Sequence, residues 1–146
     1  MRTIRLSKEF NFESAHALDG YDGKCVNIHG HSYHLIVCVK GTPIADESHV
    51  KQGMVIDFSE LKSIVKSNII NVFDHALILK SDSRFRGIEK KHQNVVYKPY
   101  QPTCENMVID FAEILLKTLP KQVALHSVLL RETGTSYAEW FAEDNL

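Results

Sequence analysis

Residues 4–18, IRLSKEFNFESAHAL, and residues 31–41, HSYHLIVCVKG, alternate in polarity and are rich in β-branched and aromatic side chains. That pattern predicts two β-strands, Ile4 to Leu18 and His31 to Gly41. Between them Asp19 to Lys24 (DGYDGK) is a Gly/Asp-rich connection, so the strands are expected to pair antiparallel. Further along, Asp57 followed by Glu60 resembles a helix start. Phe58, Leu61, Val65, Ile69 and Val72 then recur at helical spacing, predicting a helix that ends near Phe73. A second helix is predicted after Pro102, with Thr103 as N-cap, Val108, Phe111, Ala112, Leu115 and Leu119 as its apolar face, and Pro120 as its stop. Val123 to Thr133 and Tyr137 to Ala142 read as two closing strands joined by a Gly-Thr-Ser turn.

Two strands, two helices and two strands predict an α+β domain with both helices on one face of an antiparallel sheet. Four strands leave free edges, which favours an oligomer. The segment Leu77 to Gln101 is longer than most structureless connections and is expected to be ordered, functional or partly strand-like.

The chain has 146 residues, of which 44% are hydrophobic and 24% charged, values of an ordinary globular protein and right for a single domain spanning 1–146. A net charge of -1 without a Lys/Arg run argues against a nucleic-acid binder. The first residues, MRTIRLSKEFNF, lack a signal-peptide core and no stretch is long enough for a membrane span, so a cytoplasmic location is expected. Cys25, Cys38 and Cys104 do not form a disulfide framework and are expected to be reduced.

His29 and His31 enter the second strand two residues apart, so both imidazoles face the same way. His16, near the end of the first strand, can join them across an antiparallel pair. Three such histidines suit zinc with an open fourth position, although a pair of surface histidines would share the same spacing. His34 has the opposite parity, and His49, His92 and His126 have no second ligand nearby in sequence. Cys25 is open to two readings, a fourth ligand closing a structural site or a thiolate beside an open one. Asp74-His75 by itself reads first as a helix-end cation and only second as a carboxylate-oriented imidazole. Glu105 in a first helical turn and Glu132 at a strand end have ordinary structural explanations. Cys38 and Cys104 read as packing residues.

Taken together, Cys25-x-x-x-His29-Gly30-His31 with His16 upstream, Asp74-His75, Pro102-Thr103-x-Glu105-Asn106 and Glu132-Thr133 resemble the 6-pyruvoyl/6-carboxy-tetrahydropterin synthase family from Phe10 to Trp140. The resemblance implies the tunnelling fold (T-fold), in which subunits join their sheets into barrels, commonly as a homohexameric dimer of trimers with active sites at subunit interfaces. It implies Zn2+ on His16, His29 and His31, proton transfer by Cys25, Asp74 and His75, and substrate contacts from Glu132, Glu105 and Thr103. The implied substrate is 7,8-dihydroneopterin triphosphate. Three residues between Cys25 and His29 resemble the carboxy branch of the queuosine pathway. Its product is 6-carboxy-5,6,7,8-tetrahydropterin, formed with release of acetaldehyde and triphosphate. The pyruvoyl branch, which keeps the side chain whole, is the alternative, and a non-catalytic pterin-binding or zinc-stabilised scaffold is a further one.

Overall fold

Strands β1 (Ile4–His16) and β2 (His29–Gly41) pair antiparallel without interruption, from Ile4 opposite Gly41 to His16 opposite His29. This is a computed structural model, and it describes residues 1–91 and 94–146. The even-numbered residues Phe10, Phe12, Ser14 and His16 of β1 are buried, as are Tyr33, Leu35, Val37 and Val39 of β2. A period of two therefore sends one face of the hairpin into the core, with the three histidines at its end.

The core is closed by α1 (Phe58–Val65), a π-turn over Lys66–Ile70, the short α2 (Asn71–Phe73) and α3 (Cys104–Thr118). Both predicted caps are present: Asp57 accepts from Ser59 N–H and Thr103 from Asn106 N–H. The expected apolar stripe of the first helix is correct through Leu61, Val65 and Ile69 and then shifts. Val72 is exposed, whereas Ile70 and Phe73 are buried, because the π-turn inserts an extra residue into the helical register. Phe58 is also exposed. From α3, Met107, Val108, Phe111, Ala112 and Leu115 enter the core.

The sheet has six strands in the order β4-β3-β1-β2-β5-β6. β5 (Ala124–Thr133) pairs antiparallel with β2, and β6 (Ser136–Phe141) pairs antiparallel with β5. The expected all-antiparallel sheet is thus extended by two strands that make it mixed. β3 (Ala76–Lys80) runs parallel to β1, and β4 (Val95–Lys98) runs parallel to β3. The long segment Leu77 to Gln101 is accordingly strand-like at both ends. Its loop folds Phe85 and Ile88 onto Ala17, Leu77 and Leu79, forming a smaller apolar cluster. β3 meets β1 only at Ser14–His16, so the earlier part of β1 has no partner on that side among the described residues. A short helix α4 (Ala142–Asn145) follows β6, and among the described residues no helix is long and apolar enough to cross a membrane.

Candidate functional site

At the end of the core face, where β1 and β2 run past the helices, His16, His29 and His31 converge. One nitrogen from each ring can be chosen so that all lie within 4.8 Å of one another. The supporting contacts come from three loops. Gln101 and Asp19 exchange two hydrogen bonds, Asp19 N–H to Oε1 at 3.2 Å and Nε2–H to the Asp19 carbonyl at 2.6 Å. This clamp holds the Pro102 loop against the end of β1, and the Pro102 carbonyl accepts from His16 Nδ1 at 2.6 Å. His29 Nδ1 donates to the Asn27 carbonyl at 2.7 Å.

A carbonyl only accepts, so both Nδ1 atoms carry protons and both Nε2 atoms present lone pairs in the neutral rings. Those Nε2 atoms lie 2.9 Å apart. His31 Nε2 is buried without a hydrogen-bond partner among the described residues, 3.5 Å from Glu132 Oε1. Burial is the main influence on His16 and lowers its pKa to about 4, against the raising effect of the Pro102 carbonyl. Burial also lowers His31, opposed by Glu132. Neutral imidazoles facing one another with bare nitrogens can serve as the donor set of a divalent metal, and the Nδ1 atoms of His16 and His29 are fixed by outer partners as such ligands require.

Cys25 is brought beside this cluster by a short helical turn, Lys24–Val26, and by the Leu18 N–H bond to its carbonyl at 2.9 Å. Arg84 donates to the Val26 carbonyl at 2.7 Å and holds the turn from the far side. The chain's three cysteines are free thiols. Cys25, His16, Thr103, Cys104, Glu105 and Glu132 share the lining of one cavity of about 380 Å3. Cys25 is outside the group of converging metal-ligand atoms. Cys104 is a poor candidate for chemistry: it donates to the Leu130 carbonyl at 3.2 Å, and burial raises its pKa to about 11. Thr103 is both cap and wall, and Glu105 is exposed at the rim.

Asp74 and His75 lie elsewhere. His75 has a positive φ of 56° just after the helix and lines a different cavity, of about 510 Å3, with Glu13, His31 and Asn94. Asp74 Oδ1 accepts the Glu13 N–H at 2.9 Å and lies 3.0 Å from His75 Nδ1. The Glu13 bond is the main cause of the lowered Asp74 pKa. His75 is 78% exposed, so the dyad is held at its carboxylate and open at its imidazole.

The remaining histidines stand apart from the cluster. His34, on the other face of β2 as its parity requires, contacts Asn11 at 2.7 Å and Glu9 at 2.9 Å. His49 accepts from the Lys51 N–H, and His126 packs on Phe141. His92 lies outside the described residues. The sequence reading missed the Pro102 and Asn27 carbonyls, which carry no residue-type signal, and the wall residues Tyr21, Ser136 and Tyr137.

Residues 5–143 match the family described as "6-pyruvoyl tetrahydropterin synthase". The chain is 38% identical over 144 residues to the 6-carboxy-5,6,7,8-tetrahydropterin synthase of Haemophilus influenzae, covering 94% of this chain and 98% of that one. It is 35% identical to the synthase of the same name from Synechocystis, covering 92% and 91%. Among solved structures, an uncharacterized protein from Wolinella succinogenes superposes with a TM-score of 0.80 at 21% identity, covering 97% and 99%. The 6-pyruvoyl tetrahydropterin synthase of Caenorhabditis elegans does so with a TM-score of 0.70 at 24% identity, covering 97% of each chain. The fold is therefore the T-fold, and the chain belongs to the 6-pyruvoyl tetrahydropterin synthase family.

Proposed function

We propose that this chain is a zinc-dependent 6-carboxy-5,6,7,8-tetrahydropterin synthase. It converts 7,8-dihydroneopterin triphosphate with release of acetaldehyde and triphosphate, and it belongs to queuosine biosynthesis in the cytoplasm. The observation that carries the reading is the convergence of three imidazoles, two of them fixed at Nδ1 by backbone carbonyls, beside a cavity whose wall includes Cys25 and Glu132. Several relatives named as carboxy synthases support the branch. A relative from Dictyostelium named 6-pyruvoyl tetrahydrobiopterin synthase, 31% identical over 104 residues, keeps the other product in view.

Zinc on His16, His29 and His31 would supply a Lewis acid toward the hydroxyl oxygens of the substrate side chain. Glu132 accepts two parallel hydrogen bonds from the 2-amino and N3 edge of the pterin ring. Thr103 and Glu105 contact the ligand from the start of α3. Cys25 moves a proton at the side chain, and the Asp74–His75 dyad supplies the second proton-transfer group. Because His75 opens into a different cavity from Cys25, a second copy of the chain is the proper source of that imidazole at each site. A homohexamer built through free sheet edges, such as the side of β1 before Ser14 that has no β3 partner among the described residues, meets this need.

Incubation with 7,8-dihydroneopterin triphosphate and mass spectrometry of the products decides the branch. Stoichiometric acetaldehyde with a 6-carboxy product is expected; a 6-pyruvoyl product without acetaldehyde reverses the assignment, and no turnover by zinc-loaded protein favours a scaffold. Light scattering is expected to show an oligomer, and a fully active monomer contradicts the shared site.

A further inference from the structure

Tyr33 follows His31 by two residues on the same face of β2 and is only 1% exposed. Its ring stacks on Phe12 with centroids 5.0 Å apart and meets His31 edge-on at 5.6 Å. The hydroxyl is buried and has no hydrogen-bond partner among the described residues. A phenylalanine would fill the same space without stranding a polar group, so packing does not explain this hydroxyl. Besides His16 and His31, whose rings meet its own edge-on, its ionisable neighbours include Glu132, Cys104 and Cys25, which belong to the wall of the candidate cavity. Tyr33 also lies one step beyond His34–Arg131, the terminal registered pair of β2 and β5, on the side where Glu132 follows in β5.

Among the described residues Glu132 has one close polar contact, to His31 Nε2 at 3.5 Å. That nitrogen is buried and unpartnered among the described residues, on a ring that belongs to the group able to hold a metal. A nitrogen whose lone pair is given to a metal cannot donate to a carboxylate, so Glu132 needs another donor in the loaded protein. We propose that the Tyr33 hydroxyl is that donor, a positioning residue that orients the Glu132 carboxylate for recognition of the pterin 2-amino and N3 edge. Cys104 does not compete for this role, since its Sγ is engaged with the Leu130 carbonyl. The inference rests on the proposed role of Glu132.

Binding of a pterin and of the matching lumazine, which carries oxygen in place of the 2-amino group, tests it on the full-length zinc-loaded protein. Wild type is expected to prefer the pterin, and Tyr33→Phe to bind the pterin about tenfold more weakly, with lumazine little affected. Zinc content and melting temperature should stay at wild-type values. In a Glu132→Gln background the Tyr33→Phe change should have no further effect on the preference, which the double-mutant cycle reads directly. An unchanged preference in Tyr33→Phe, additive effects in the cycle, or loss of zinc from the variant overturns the inference. A wild type without preference for pterin over lumazine instead removes the assigned role of Glu132 itself.

Discussion

His16 Nε2 and His29 Nε2 lie 2.9 Å apart while the opposite nitrogen of each ring is bound to a backbone carbonyl, Pro102 for His16 and Asn27 for His29. Two lone pairs at that separation repel unless a cation stands at the site, and the carbonyls block the tautomer that would relieve them. The capacity to hold a metal here therefore depends on the backbone as much as on the histidines.

Elemental analysis is expected to find about one zinc per chain, since three imidazoles with an open position form a usual catalytic site. His29→Ala should lose the metal. His34→Ala should keep it, because His34 is engaged with Glu9 and Asn11 on the other face of the sheet. Equal metal content in the two variants would reject the assignment.

The two cavity cysteines are expected to differ. Cys25→Ala should retain zinc and assembly while turnover falls by about 10²-fold or more, the scale of a general acid–base group. Cys104→Ser should stay within severalfold of wild type, because the Cys104 thiol is committed to a carbonyl. Zinc loss in Cys25→Ala would make Cys25 a ligand and close the site.

The π-turn makes an unusual prediction for neighbouring residues. Phe73 is fully buried and meets Phe111 edge-on at 4.8 Å, whereas Val72 is 40% exposed. Phe73→Ala should cost about 3–5 kcal/mol in denaturant unfolding. Val72→Ala should change stability by about 0.5 kcal/mol or less. A large loss at Val72 would restore an uninterrupted helical register.

Asp74 links stability to acid. Its carboxylate is held below the usual range first by the Glu13 N–H and further by His75. A depressed folded-state pKa stabilises the protein above the unfolded value of about 3.9 and loses that contribution as pH falls through the lower folded value. Asp74→Asn keeps an acceptor for Glu13 but cannot titrate. Its unfolding free energy should therefore fall less steeply than wild type below about pH 4. Parallel acid profiles would contradict the linkage.

The convergence of His16, His29 and His31 and the central hairpin were legible in the residues alone. Strand parity put His29 and His31 together and His34 opposite, and the same alternation placed His16 on the core face with Phe10 and Phe12. Asp57 and Thr103 announced the two helix starts through local hydrogen bonding, which needs no distant partner. Parallel pairing of β3 and β4 was not legible, since it joins segments far apart and depends on the sheet receiving them. Periodicity also ran past the π-turn, because a single inserted residue has no compositional mark. Only the tertiary structure turned His16 by the Pro102 carbonyl and sent His75 to a separate cavity from Cys25. Sequence sets which faces and donors exist, through short-range sterics and the period of the backbone. Which donors meet is decided by packing, where residues as distant as His16 and Pro102 come within one hydrogen bond of each other.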